Sequence, residues 1–194
     1  MIIGMTGGSG TGKTKASEFF DKKGYIVIDC DKLSRKVCEK GTPCLAELKD
    51  FFGEKIIAPD GTLMRRELGR IVFNDKSSLD RLNEITHKYI TQELECIIKA
   101  NGGRDILIDA PLLFEAGLEK ICDKTLCILA DRDVRIRRIM KRDSISCDDA
   151  KDRISSQKDD EYYISRCDCA VYNNESEHML INKLTEIFGG TDGR

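Results

Sequence analysis

The residues best suited to chemistry lie at the start of the chain. Gly7–Gly8–Ser9–Gly10–Thr11–Gly12–Lys13–Thr14 fills the pattern GxxxxGK[ST] at every fixed position. It follows the apolar run Met1–Thr6 and precedes a helical pattern from Lys13 to Lys22, with Ala16, Phe19 and Phe20 on one side. Glycines let the backbone curl until successive N–H groups converge on one anion, and a helix N-terminus adds positive potential. In such a loop Lys13 reaches the β- and γ-phosphates of a nucleoside triphosphate, and the Thr14 hydroxyl is a ligand for Mg²⁺. The loop does not fix the reaction. A guanine-reading NKxD is missing, since Asn182–Lys183–Leu184–Thr185 lacks the aspartate and falls in a helical pattern. A small-molecule kinase fits what is left.

Such a kinase needs a carboxylate to take the acceptor's proton and cations to neutralise the moving phosphoryl group. The second apolar run, Tyr25–Asp29, leads into Asp29–Cys30–Asp31, at the strand edge where ligands of parallel sheets sit. Either aspartate could serve, and Asp31 could equally cap the helix that follows. Ile106–Asp109 is a buried run ending in a carboxylate, a layout that holds Mg²⁺ directly or through water. From Arg132 to Arg142 there are six basic residues and one acid. On a helix, Arg135, Arg138 and Arg142 form a stripe beside Ile136, Ile139 and Met140. That stripe is either a solvated face or a lid over phosphates.

Composition limits the alternatives. The chain has 194 residues, 40% hydrophobic and 34% charged, with a net charge of −2. One soluble globular core with insertions fits, and no run reaches the ~18 apolar residues of a membrane span. Nothing pulls the whole chain toward nucleic acid or membrane. MIIGMTGG has no basic region followed by a long apolar stretch, which points to the cytoplasm. The nine cysteines are odd in number and lack CxxC, which argues for reduced thiols without a structural metal.

The elements that must position these residues alternate. Apolar strands are expected at 1–6, 25–29, 105–109, 124–130 and 169–172, with helices between them, so the sheet should be parallel. The stretch from Leu33 to Ala100 is helical in pattern and carries no strand. Pro43 opens one helix that stops near Gly53, Asp60–Gly61 is a turn, and Ser78 is placed to cap a long helix toward Ala100. A charged helical stretch runs from Arg132 to about Ser165, a last helix covers 177–188, and the glycine-rich tail from Gly189 is expected to fray.

Taken in order, these segments resemble the dephospho-coenzyme A kinase family over nearly the whole chain. TGGSGTGKT, VIDCDKLSRKV, GTPCLAELKDFFG, DGTLMRRELGRIVF, LNEITHKYI, DAPLLFEAGL, RDVRIRRIMKRD with RISSQ, and CDCAVYNN each resemble a family segment. The resemblance implies an α/β fold with a P-loop NTPase-type parallel sheet flanked by helices, a helical acceptor-binding insertion and a helical lid. The nucleotide-binding core would comprise 1–32, 103–135 and 166–190, the insertion 33–102 and the lid 136–165. It implies ATP and dephospho-coenzyme A as substrates, with Mg²⁺. Asp31 falls on the catalytic base, and Lys13, Arg138 and Arg142 on the groups that stabilise the transferred charge. Gly8 and the loop residues Gly10, Thr11, Gly12, Lys13, Thr14 and Lys15 fall on the ATP phosphates, and the pair Asn173–Asn174, Asn174 foremost, near the adenine. Arg65 and His87 fall on acceptor-binding positions, while Thr14 and Asp109 fall on the metal. A monomer or small homo-oligomer is expected. Another P-loop nucleoside or nucleotide kinase, or a non-catalytic nucleotide switch, stays open at this point. Three positions depart from the family pattern: Lys88 stands after the histidine where proline is usual, Arg135 where glutamine is common, and Lys15 where a small hydroxyl residue is.

Overall fold

The computed structural model describes residues 1–73 and 75–189; the tail from Gly190 lies outside them. Five strands, β1 (Ile2–Thr6), β2 (Ile26–Asp29), β3 (Ile106–Asp109), β4 (Lys124–Leu129) and β5 (Cys169–Tyr172), form one parallel sheet in the order β2-β3-β1-β4-β5. The chain moves from β1 to one side of the sheet and, after β3, to the other. The end of β1 is therefore the point where strand order reverses, the usual ligand crevice of open α/β sheets.

Alternation along β4 shows why the sheet is covered on both faces. Leu126 and Ile128 join one buried cluster with Ala16, Phe19 and Phe20 of α1 (Lys13–Lys22) and with Leu180, Leu184 and Phe188 of a C-terminal helix. Cys127 and Leu129 point to the other face and pack with Tyr163. Phe20 is fully buried, and its ring meets Tyr25 and Phe188 edge-on at 5.0 and 5.2 Å.

The chain divides into two compact units, Met1–Ile28 with Gly103–Arg194, and Asp29–Gly102. The second is helical: α2 (Cys30–Val37), α3 (Pro43–Phe52), α4 (Arg65–Phe73) and α5 (Lys76–Ala100). Pro43 does open α3, at N1 behind the Thr42 cap, and Gly53 follows its end. The cap of α5 is Asp75, whose carboxylate accepts from the Ser77 and Ser78 N–H groups, so Ser78 lies inside the helix instead of capping it. α5 runs unbroken through His87 and Lys88 for 25 residues. Lys88 suits that course: it is a good helix former, and its ammonium reaches Glu47 Oε2 on α3 at 2.7 Å, beside the Tyr89 hydroxyl at 2.8 Å.

The first unit continues with α6 (Arg132–Asp143), α7 (Cys147–Ser155), α8 (Asp160–Ile164) and α9 (Glu177–Phe188). The charged stretch 132–165 is thus three helices. Ile136 and Ile139 of α6 pack on Ala150 of α7, and Ser146 and Asp149 form a capping box at the start of α7.

Candidate active site

The glycine-rich segment joins β1 to α1 as a loop whose amides can face one anion. Gly12, in left-handed conformation at φ 102°, occupies the N-cap of α1, and the helix begins at Lys13. A Cβ at Gly12 would collide with Asn173 Nδ2 as well as strain the backbone. At Gly8 the obstacle is the Arg135 guanidinium, which lies where a side chain would have to go. Lys13 folds over the loop, its Nζ donating to Gly7 O at 2.6 Å. Thr14 is exposed on the first turn of α1. Lys15, also exposed, pairs with Glu18 at 2.8 Å and Glu177 at 3.5 Å; the Glu18 hydrogen bond leads the effects that raise its pKa.

Residues far along the chain shape the loop. Arg135 is only 5% exposed. Its Nε donates to Ser9 O at 2.9 Å and its Nη2 to Gln157 Oε1 at 2.6 Å. Gln157 in turn accepts from Ser9 N–H and donates through Nε2 to Ser9 Oγ, both at 2.9 Å. Arg138 Nη1 donates to Gly10 O and Thr11 O, each at 3.3 Å. Burial, then the neighbouring Arg137 charge, lowers its pKa. Asn173 is buried and donates to Thr11 O at 2.7 Å, whereas Asn174 is exposed and accepts from Asp131 N–H at 2.7 Å, ahead of α6.

The stripe therefore divides. Arg135 and Arg138 lie against the phosphate loop. Arg142 forms a bidentate pair with Asp143, at 2.7 and 2.8 Å, and Asp143 also holds Arg153. These arginines, Arg142 foremost, hold the Asp143 carboxyl at about 2.

The two aspartates after β2 also differ. The strand does not continue past Asp29, so the two do not alternate across a sheet; the chain turns helical at Cys30. The cap of α2 is Asp29, not Asp31: its Oδ1 accepts from Lys32 N–H at 3.0 Å and its Oδ2 pairs with Lys32 Nζ at 3.2 Å. Burial pushes the Asp29 carboxyl up, but the Lys32 N–H and ammonium outweigh it and hold it below the usual range. Asp31 is exposed on the first turn of α2. Arg65 opens α4, with Nη2 donating to Arg35 O at 3.3 Å, and His87 is half-buried on α5.

Asp109 ends β3 opposite Met5 of β1, and its Oδ2 accepts from Ser17 Oγ at 2.8 Å. Ser17 stands three residues after Thr14 on α1, so this carboxylate lies along the helix that carries the Thr14 hydroxyl. Hydroxyl and carboxylate oxygens are the hard donors that suit Mg²⁺, which commonly takes one or two protein ligands and completes its shell with phosphates and water. Among the described residues no group of three or more His, Cys, Asp or Glu side chains could hold a metal by itself. No helix there is long and apolar enough to cross a membrane.

A complete phosphate loop at the reversal point of a parallel sheet, with arginines from a following helix against it, defines a P-loop kinase fold. Shikimate kinase from Bacteroides thetaiotaomicron shares that fold (TM-score 0.55, 14% identity, covering 97% of this chain and 98% of that one). The profile of the family described as dephospho-CoA kinase matches residues 1–178. The chain belongs to that family. Curated relatives named dephospho-CoA kinase include those of Fusobacterium nucleatum, 36% identical with 95% of each chain covered, and Lactobacillus johnsonii, 38% identical with 96% of each covered. The solved dephospho-CoA kinase of Campylobacter jejuni superimposes with a TM-score of 0.68 at 27% identity, over 97% of this chain and 98% of that one.

Proposed function

We propose that the protein transfers the γ-phosphoryl group of ATP to the ribose 3′-hydroxyl of dephospho-coenzyme A, giving coenzyme A and ADP. One observation carries the transfer chemistry: Arg135, Arg138 and Gln157 of the 132–165 stretch bond directly to the backbone or side chains of the Gly7–Thr14 loop. The named relatives support the choice of acceptor.

In this reading the loop amides from Gly8 through Thr14, with Lys13, hold the ATP phosphates, and Lys15 guards their outer edge. Asn174 edges the adenine. Asp31 accepts the proton of the 3′-hydroxyl as that oxygen attacks phosphorus. Asp29, committed to capping α2, fixes the backbone that presents Asp31. Lys13, Arg138 and Arg142 neutralise charge on the transferred group. Arg142 must then exchange Asp143 for phosphate. Arg65 and His87 bind the acceptor. Thr14, with Asp109 directly or through water, would hold Mg²⁺, which would neutralise part of the triphosphate charge. The core 1–32, 103–135 and 166–190, the acceptor insertion 33–102 and the lid 136–165 act as the working parts, in a cytoplasmic monomer or small homo-oligomer.

The test is ADP release from ATP and Mg²⁺ with and without dephospho-coenzyme A. Acceptor-dependent release, with a product heavier by one phosphate, is expected. Equal release in both conditions, or turnover of a nucleoside instead, would overturn the reading.

A further inference from the structure

Two thiols meet inside the helical unit. Cys38 follows the last residue of α2 and Cys44 is the second residue of α3, and their Sγ atoms are 3.7 Å apart. Both are buried, at 3% and 1% exposure. The turn between them is short, and its Glu39, Lys40 and Gly41 are exposed. Reaction at Cys38 requires local opening of that turn, a sub-global motion of the kind exposed turns undergo. A disulfide needs ~2.05 Å between sulfurs, so closure requires side-chain rotation and a small shift of the turn.

We propose that Cys38 and Cys44 form a reversible dithiol–disulfide couple, a modification site that answers to low-molecular-weight disulfides. The Cys38 thiolate attacks one sulfur of oxidised glutathione, forming a mixed disulfide and expelling one glutathione thiolate. Cys44, after losing its proton to solvent, attacks the Cys38 sulfur and expels the second. The two protein thiols give up two protons and two electrons, and one glutathione disulfide becomes two thiols. The order of attack follows from the surroundings. Either thiol can donate the hydrogen bond they share; with Cys44 donating, that bond and the Arg65 charge outweigh burial and lower the Cys38 pKa, and the same bond and burial raise Cys44.

The bond has a route to the rest of the unit. Cys38 N–H donates to Arg35 O at 3.3 Å, and that carbonyl also accepts from Arg65 Nη2 at 3.3 Å. Pulling Cys38 toward α3 therefore disturbs the carbonyl that holds Arg65. Oxidation should weaken acceptor binding and spare ATP. This consequence rests on the acceptor reading above; the bond itself does not.

The experiment incubates the full chain with oxidised glutathione, blocks remaining thiols by alkylation and digests with trypsin. Lys40 lies between the cysteines, so residues 37–40 and 41–49 are released as separate peptides unless bonded. The expected result is a linked pair that dithiothreitol dissolves. The acceptor KM should rise about five-fold, with the ATP KM unchanged, and return on reduction. Cys44→Ala should give neither linked peptide nor KM response. Recovery of both peptides singly alkylated, while the exposed Cys96 becomes glutathionylated, overturns the couple. A linked pair with an unchanged acceptor KM overturns the coupling to Arg65. An enzyme with no acceptor-dependent activity before oxidation would sink the functional reading, and the peptide map would still decide the couple.

Discussion

Gln157 and Ser9 are 148 positions apart and share two hydrogen bonds of 2.9 Å, one to the Ser9 amide and one to its hydroxyl. The same Gln157 oxygen also takes the Arg135 guanidinium at 2.6 Å. A single side-chain amide thus ties the segment after α7 to the phosphate loop, and one buried cation depends on it.

Gln157→Leu fills similar space and removes all three bonds. Arg135 and the Ser9 amide lose an acceptor in a half-buried setting, which costs about 1–3 kcal/mol per group left unsatisfied. Misplacement of a catalytic loop by ~1 Å can cost about 100-fold in rate. We expect kcat to fall about 10- to 100-fold. Gln157→Glu, which keeps an acceptor for both donors, should recover much of it. Steady-state ADP release by the three proteins decides, and equal kcat values would mean that the loop holds its shape unaided.

Lys13→Ala should abolish turnover without unfolding the chain. The side chain is half-exposed and folds over the loop it serves, with Nζ on Gly7 O, so its removal opens no core cavity. Titration calorimetry with ATP, alongside a circular dichroism melt, separates the two effects. Near-normal turnover in a folded variant would contradict the role given to this lysine.

How far the site could be read from sequence follows from how local each feature is. The Gly7–Thr14 loop was legible because eight consecutive residues carry it. The parallel sheet was legible because each strand is a short apolar run between helical patterns. Helical periodicity put Arg135, Arg138 and Arg142 on one stripe, but it could not see that Asp143 captures Arg142 while Arg135 turns inward. Asp31 stood open as a cap, but α2 begins at Cys30, directly after β2 and two residues earlier than an Asp31 cap requires, so Asp29 takes that place. Asp75 displaced Ser78 as a cap for the same reason. Gln157 carried no signal of its own, since its partner lies 148 positions away, and the CDCAVYNN resemblance marked Asn173 for the adenine and not for Thr11 O, 162 positions away. Neither residue type announces a loop contact. The RISSQ segment, matched only as part of a lid, was the one available pointer to Gln157.

Arg138 and Arg142 should now part company under mutation. Arg138 already donates to two loop carbonyls, and partial burial lowers its pKa, so it is in place beside the site. Arg142 must first leave a bidentate carboxylate. Alanine at Arg138 should lower kcat at least about ten-fold with little change in ATP affinity, as for a group that acts on transition-state charge. Alanine at Arg142 should cost less. Asp143→Asn, which releases Arg142, should not repeat the Arg138 defect. Single-turnover rates at saturating ATP measure this directly. A larger loss at Arg142 than at Arg138 would show that its pairing with Asp143 breaks readily in the working enzyme.

The last prediction sets Asp31 against Asp29. Asp29 spends its carboxylate on the α2 N-terminus and on Lys32, so Asp29→Asn keeps an effective cap residue and should cost little in rate. Asp31 is exposed on the first turn of the same helix and has no capping duty. Asp31→Asn preserves size and part of the hydrogen bonding but removes the proton acceptor. Loss of a general base costs about 10²- to 10⁴-fold. ATP affinity should survive both changes, since neither residue belongs to the phosphate loop. Acceptor phosphorylation is the measurement, with ATP binding followed in parallel and thermal melts to check the cap. If Asp29→Asn is the slow enzyme and Asp31→Asn turns over normally, the base is the capping residue and α2 must rearrange to free it. If both turn over normally, the 3′-hydroxyl gives up its proton without help from either aspartate.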